Sequence, residues 1–549
     1  MATTGAEVLV AALAAAGVKT IYSLSGNQIM PVYDACLDHD IRIVHVRHES
    51  AAVFMADAHA QLTGEVGVAL VTAAPGFANA VGALYTAALN ESPVLLLSGD
   101  SPVSHDGQGA FQELDQLSMS APLTKLSLRA TRLATIDQDC ARALRVARSG
   151  RPGPVHLALP FDTLSNVRDA PVTTAIAVAA ESSMPPSRQD VSDIAAAIQG
   201  AERPLVITGP FLNQTRAGDL RARLGEVLQV PVIAMESPRG LNDPALGELK
   251  QALARADLIV SLGKRLDFTT GFGSPSMLAD GCRYIVIDAD EAVLAQARAA
   301  AGERLAHACH AGIRETAEQL SKVDASIGAS HGSWPDEVRA MLARRIEVDL
   351  QSTRSPVHPA ALAQALERSV AAASESVLVI DGGEIGQWVQ AFASAENRLI
   401  NGPAGAIGGS LCYAIAAKLA RPDARVIAAM GDGTCGFHFS ELETAARMGA
   451  NVVFVIGNDQ RWNAEYQIQI REYGAQRTYG CELSDARYDL AAVGLGCHGE
   501  YVTHADELDA ALERAANAGK PAVVNVLIQA LPAPASPASA GSATASSAH

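Results

Sequence analysis

Short apolar runs of buried-strand type recur along this chain, with helix-like stretches between them. No other feature limits the fold as strongly. A strand that is apolar on both sides needs cover on both faces, and parallel strands joined by helices provide it. In the first block the runs are "RIVHVR", "VGVALVT" and "PVLLLSG", separated by "ESAAVFMADAHAQLTG" and "GFANAVGALYTAALNE". The opening "MATTGAEVLVAALAAAGVKTIY" lacks a basic start, so it reads as a helix leading to a strand and not as a signal peptide. A Ser/Pro-bearing linker, "TTAIAVAAESSMPPSRQ", precedes a second block with "RPLVITG", "VPVIAM", "ADLIVSLG" and "CRYIVIDAD". A charged segment from about Lys322 to Pro356 separates the third block, which holds "VLVIDGG", "ARVIAAMGDG", "NVVFVIGND" and "PAVVNVLI". The end, "LPAPASPASAGSATASSAH", is low-complexity, and disorder is expected there. The expected fold class is α/β, with three doubly wound parallel-sheet domains at residues 1–170, 186–325 and 355–530, then a tail at 531–549.

Composition narrows the function. At 549 residues the chain is too long for one ordinary core. Hydrophobic residues make up 49% and aromatics 4%, so Ala, Val and Leu must fill the interior. The net charge is −17 with no basic stripe, which argues against a nucleic-acid partner. The apolar stretch from Val66 to Leu97 is interrupted by Pro75, Gly76 and Asn79, which argues against a membrane span. The eight cysteines form no CxxC pair and suggest buried, reduced thiols. A cytoplasmic protein is expected.

The most informative stretch is "GDGTCGFHFSELETAARMGANVVFVIGND". Asp432 follows the strand "RVIAAM" between two glycines, and Asp459 follows the next strand 27 residues later. That spacing fits one turn, one helix and one strand. Both carboxylates then emerge on the same edge of a parallel sheet, beyond the strand ends where ligands bind in such folds. Two oxygen ligands facing a phosphorylated cofactor suit Mg²⁺. "GDGTCGF" also matches the dinucleotide pattern G-x-G-x-x-G, but no acid follows the next strand at the ribose-binding distance.

The segment "GDG…ELETA…ND" resembles the thiamine diphosphate motif of the acetolactate synthase-like superfamily, which includes pyruvate decarboxylase, oxalyl-CoA decarboxylase and 2-hydroxyacyl-CoA lyases. The resemblance covers roughly residues 5 to 530. It implies a pyrimidine-binding domain, a nucleotide-binding-like middle domain and a diphosphate/Mg-binding domain, in that order. It implies Asp432, Asp459 and the carbonyl of Arg461 as metal ligands, with Gly433 and Thr434 beside the cofactor. The usual family ending is Asn-Asn; Asp459 stands in the second place here. The first block, from "VRHESAAVF" to "LLLSGD", matches the pyrimidine-binding domain and places Glu49 on the family's glutamate. A carboxyl held against the aminopyrimidine favours its imino tautomer, which generates the C2 ylide; the cofactor carries the chemistry and the protein tunes it.

Further positions follow by match. Gly26 in "SLSGNQ" and Pro75-Gly76 in "AAPGFAN" are implied to line the pyrimidine pocket, and Gln112 in "GAFQELDQ" to face the reacting carbon. "NGPAGAIGGSL" supplies Gly405 and Ile407, the latter at the position that bends the cofactor. "DGGEIGQW", with Gly383, resembles the diphosphate-side turn, although Glu384 and Ile385 replace the common Gln-His. In the middle block Arg265 and Asp288 match nucleotide-contacting positions, and the resemblance leaves FAD, ADP, a CoA adenosine and an empty domain all open. The resemblance also implies a homodimer or homotetramer with active sites between subunits.

The implied activity is a thiamine diphosphate- and Mg-dependent C–C lyase or carboligase. The implied substrates are 2-oxoacids and aldehydes, or 2-hydroxyacyl-CoA esters cleaved to formyl-CoA and an aldehyde. The paired histidines of pyruvate decarboxylase are absent from "SHDGQGAFQE", and "NAEYQIQIREYG" lacks the Trp that selects the second ketoacid in acetolactate synthases. Trp462 lies nearer the second metal position. The stretch "VIGNDQRWN" resembles 2-hydroxyacyl-CoA lyases, yet no Arg, Lys or aromatic residue follows Lys520 to contact CoA.

Overall fold

The computed structural model describes residues 3–168, 184–323, 331–350 and 355–534. Most of the Ser/Pro-bearing linker, and the tail from residue 535, lie outside them. The chain packs into two compact units. One comprises Met1–Ser183 with Leu411–Pro422 and His438–Ala450; the other comprises Met184–Ser410, Asp423–Phe437 and Asn451–His549.

Three parallel sheets flanked by helices organise these units. The first contains β1 (Thr20–Ser23), β2 (Arg42–His45), β3 (Gly67–Val71), β4 (Val94–Asp100), β5 (Ser127–Arg129) and β6 (Val155–Pro160), in the order β2-β1-β3-β4-β6-β5. The second contains β7 (Pro204–Thr208), β8 (Val232–Ala234), β9 (Leu258–Leu262), β10 (Arg283–Asp288) and β11 (Leu305–His310), in the order β8-β7-β9-β10-β11. The third contains β12 (Ser376–Ile380), β13 (Asn397–Ile400), β14 (Arg425–Gly431), β15 (Val453–Asn458), β16 (His498–Val502) and β17 (Ala522–Leu527), in the order β13-β12-β14-β15-β17-β16. The first and third sheets therefore share one topology. Each reverses direction of strand addition once near its start, between β1 and β3 and between β12 and β14, and such a switch point opens a crevice at the carboxyl ends of the strands.

The apolar runs form strands because both faces are covered. In the second sheet Leu205, Ile207, Ile259, Tyr284 and Val286 enter one core, while the alternating Val206, Leu258, Val260, Ile285 and Ile287 enter another. Period-two side-chain direction makes a continuous apolar run the natural sequence for such a strand.

The helices that matter below are α1 (Glu49–Thr63), α2 (Pro75–Leu89), α3 (Trp334–Ala343), α4 (Gly383–Phe392), α5 (Asp432–Cys435), α6 (Glu441–Met448) and α7 (Asn463–Tyr473). The segment read as a charged separator holds α3. Its Trp334, Val338 and Met341 complete a core of the second sheet, and the Trp334 indole N–H donates to the Pro204 carbonyl at 2.9 Å. All eight cysteines are buried. Among the described residues no helix is long and apolar enough to cross a membrane.

Candidate active site

In the third sheet Asp432 directly follows β14 and Asp459 directly follows β15. These strands are adjacent and parallel, with Gly431 paired to Gly457, so both acids leave the same sheet edge. They line one cavity of about 290 Å³. Asp432 is buried and its Oδ2 has no hydrogen-bond partner among the described residues. Burial raises the Asp432 carboxyl to about 6. Burial, and then the nearby Asp432 charge, raises Asp459 to about 8. Two carboxyls that cannot both ionise in a shared buried place hold a proton between them, or a cation in its stead.

The chain turns sharply after Asp459. Gln460 has φ of 60°, an uncommon conformation for a residue with a side chain. Its N–H donates to Asn458 Oδ1 at 3.2 Å, and Asn458 is pinned in turn by Asn525. The Arg461 guanidinium lies 4.5 Å over the Tyr466 ring, and Arg461 lines the cavity with Asp459. Gly433 has no room for a side chain: a Cβ there would stand 2.8 Å from the Trp462 indole. Thr434 Oγ1 accepts from the Gly431 N–H at 3.1 Å and closes the turn between β14 and α5.

Gly383, Gly405, Ile407, Asp432, Gly433, Thr434, Asp459 and Arg461 all line this cavity. The structure thus brings together every third-block residue singled out from the sequence. It adds residues that the sequence reading gave no role. Asp381, just past β12, is buried, and its carboxylate accepts from the N–H groups of Gly382, Gly408 and Ser410 and from the Ser410 hydroxyl. That acid fixes the loop bearing Ile407, whose Cγ2 packs on Gly382. Ser237, Pro238 and Arg239, in the loop after β8, and Glu384, Gln387, Gln390 and Asn401 are also on the wall.

The switch point of the first sheet gathers the other set. Thr72 is its hub. A Cβ on Gly26 would meet Thr72 Cβ at 2.3 Å, and one on Gly76 would meet Thr72 Cγ2 at 2.7 Å and Glu49 Oε1 at 3.3 Å. Ala74, with φ of 46°, turns the chain into Pro75 at the start of α2. Glu49 is the first residue of α1 and is 8% exposed. Its Oε2 accepts from Asn79 Nδ2 at 3.0 Å. Gln112 Oε1 accepts from Gln28 Nε2, and Gln28 Oε1 accepts from the Thr72 hydroxyl, each at 2.6 Å. Gly26, Glu49, Pro75, Gly76 and Gln112 therefore converge. Buried Glu441 of α6 holds the approach: its Oε1 accepts from the Arg47 and His48 N–H groups at 2.7 and 3.0 Å. Nothing in the spacing of Asn79 or Glu441 marks them, because each meets its partner only after folding.

In the second sheet Arg265 follows β9 and Asp288 ends β10, on the same carboxyl edge. Asp288 is fully buried, and its Oδ1 accepts from the Asp290 N–H at 2.9 Å. Neither residue lines the cavity of the third sheet.

Three family descriptions match the chain. Residues 3–119 match "Thiamine pyrophosphate enzyme, N-terminal TPP binding domain", residues 191–320 the central domain, and residues 381–526 the C-terminal TPP binding domain. The acetolactate synthase large subunit IlvG of Mycobacterium tuberculosis is 32% identical over 533 residues, covering 94% of each chain. The human 2-hydroxyacyl-CoA lyase 2 is 31% identical, covering 95% of this chain and 90% of its own. In fold, the chain matches a thiamine diphosphate-dependent 4-hydroxybenzoylformate decarboxylase from Rhodococcus jostii RHA1. The TM-score is 0.80 at 24% identity, over 96% of this chain and 99% of the other.

Proposed function

The chain belongs to the thiamine pyrophosphate enzymes of the acetolactate synthase-like group, and from that premise we propose that it is a Mg²⁺-dependent C–C lyase or carboligase acting on 2-oxoacids or 2-hydroxyacyl-CoA esters. One observation carries the metal reading. Buried Asp432 and half-buried Asp459 share a cavity, and Asp432 keeps an oxygen with no donor among the described residues. An all-oxygen donor set with an orphaned carboxylate oxygen fits a hard divalent cation, so the residues present fit the group. The carboxylates of Asp432 and Asp459 and the Arg461 carbonyl would hold Mg²⁺. The backbone of Gly433 and Thr434, with Gly383 and Gly405, would hold the diphosphate, and Ile407 would support the ring system.

When bound, thiamine diphosphate supplies a nucleophilic carbon and an electron sink for cleaving or forming a bond next to a carbonyl. The chain positions and protects that chemistry. Glu49 holds and releases a proton at the carboxyl that Asn79 orients, and Glu441 fixes the backbone on which Glu49 stands. Gln112 faces the substrate, held by Gln28. A homodimer is the smallest working unit in this reading, and eight buried cysteines suit a reducing cytoplasm.

A second substrate reading has its own support. Similarity to the human lyase and the missing selector Trp both favour 2-hydroxyacyl-CoA cleavage to formyl-CoA and an aldehyde. A product assay with thiamine diphosphate and Mg²⁺ separates the two. Acetolactate or an acyloin from pyruvate supports the ketoacid reading; formyl-CoA from the thioester supports the lyase reading. Glu49→Gln tests the reaction class: turnover should fall at least about 100-fold while cofactor affinity persists. Full turnover in that variant would sink the assignment.

A further inference from the structure

β11 is an edge strand of the second sheet. His307 and Cys309 stand two residues apart on it, so both side chains point to one face. The helix Arg188–Gly200 packs on that face, where its Ile194 and Ile198 share a core with Cys309. Asp190, in the first turn of this helix, meets the two strand residues. His307 Nε2 and Asp190 Oδ1 are 2.9 Å apart. One ligand atom from each of Asp190, His307 and Cys309 lies within 4.8 Å of the other two. Among the described residues no other three His, Cys, Asp or Glu side chains converge this closely. None of the three lines the cavity of Asp432 and Asp459.

An oxygen, a nitrogen and a sulfur donor make the mixed set that Zn²⁺ accepts and Mg²⁺ does not. Asp190 is oriented for it. Its Oδ2 accepts from the Ser187 hydroxyl at 2.6 Å and from the Ser187 N–H at 3.2 Å, which leaves Oδ1 toward His307. Outer hydrogen bonds of this kind fix a metal-ligating carboxylate. Around one tetrahedral Zn²⁺ the three donors would stand roughly 3.4–3.6 Å apart, so closing the cluster takes about 1 Å of side-chain movement. The His307 and Asp190 side chains are 31% and 28% exposed, which gives an ion a way in and leaves its fourth position to water. Cys309, 2% exposed, forms the floor. We infer that Asp190, His307 and Cys309 are a three-donor site for Zn²⁺ or a similar transition-metal ion, clasping the start of the helix Arg188–Gly200 to β11. Uptake replaces the direct His307–Asp190 hydrogen bond with one bond from each residue to the ion. The Cys309 thiol proton leaves to solvent as the sulfur–metal bond forms. The clasp acts on stability, and it stands apart from the proposed reaction.

The test is a Co²⁺ titration of the full chain, with thiamine diphosphate and excess Mg²⁺ present to occupy the acid-pair cavity. Co²⁺ bound by oxygen alone gives no thiolate-to-cobalt absorption band, so the two places are told apart by spectrum. A saturable thiolate band at one equivalent is expected, with the visible bands of tetrahedral Co²⁺, and Zn²⁺ should abolish both. Cys309→Ala should lose the thiolate band, and His307→Ala should bind Co²⁺ at least about tenfold more weakly. Zn²⁺ should raise the melting temperature of the wild type and not that of Cys309→Ala. If no thiolate band saturates, or if it survives in Cys309→Ala and so belongs to another cysteine, the inference falls. Should Cys309→Ala fail to fold, His307→Ala, at a partly exposed position, decides: unchanged Co²⁺ affinity there overturns the site. None of these readouts needs turnover, so a failure of the proposed reaction leaves the clasp standing.

Discussion

Asp381 and Asp432 stand just past the ends of neighbouring parallel strands, β12 and β14, and both are buried. Their surroundings are opposite. Asp381 receives three backbone N–H groups and one hydroxyl. Asp432 keeps a buried oxygen with no donor among the described residues and has a second carboxyl, Asp459, beside it. Burial raises both acids. For Asp381 the donors offset that cost, and the acid serves as a staple for the Ile407 loop. Around Asp432 the backbone N–H groups of Asp432, Gly433 and Arg461 offset part of that cost, but Oδ2 has no donor among the described residues, which leaves a place for a proton or a cation. A buried acid's hydrogen-bond inventory thus separates a structural role from a ligand role more clearly than its burial or its place in the fold.

Breaking the staple should have the largest effect. Asp381→Asn replaces an acceptor-only group with one that presents donors to other donors, and should destabilise the fold by about 2–4 kcal/mol. Urea unfolding of the apoprotein measures this. Asp432→Asn should do the reverse: little loss of apoprotein stability, but a drop of at least about 100-fold in Mg²⁺-dependent thiamine diphosphate affinity, about 2.7 kcal/mol by titration calorimetry. If the two variants behaved alike, the contrast between the acids would collapse.

Changing pH sharpens the same comparison. Asp432 and Asp459 have folded-state values raised to about 6 and about 8, above the ordinary 3.8. The folded apoprotein therefore binds protons that the unfolded chain has released. The stability this pair contributes is fully present below about pH 4 and is lost as pH rises through those two values. Apoprotein melting temperature should fall across that window, and the stabilisation by Mg²⁺ should grow, because the metal takes the place of the shared proton. Asp459→Asn removes one partner of the repulsion and should flatten the apoprotein's pH profile while still binding Mg²⁺. The smallest effect is expected for Ser410→Ala, which removes one of the four donor groups on Asp381 and should cost about 1 kcal/mol.

Much of the fold is legible in the sequence. The strands that read plainly, such as "VGVALVT" and "ARVIAAM", are apolar throughout because both faces are covered. Five strands escape that reading: β5, β6, β11, β13 and β16. All but β6, which is interior and fully buried, lie at the edge of their sheet. An edge strand has one neighbour and more solvent, so its residues are partly exposed and mixed in character, and periodicity is weak. The helix α3 was hidden for a similar reason. Its three core residues sit in a polar, charged segment and acquire a partner only from the second sheet.

The sequence by itself determined the β-α alternation, the placing of Asp432 and Asp459 on one sheet edge, and the cluster of glycines beside them. These depend on local period and on the length of one helix and one strand. Tertiary structure alone decided which acids are satisfied and which are not. Asp381 meets Gly408 and Ser410 across 27 and 29 residues, and Glu441 meets Arg47 across 394. Among the described residues Gln390 Oε1 has no donor, and only the packing around it decides that. Hydrogen-bond satisfaction is a property of the whole packed neighbourhood, and no window of the sequence contains that neighbourhood.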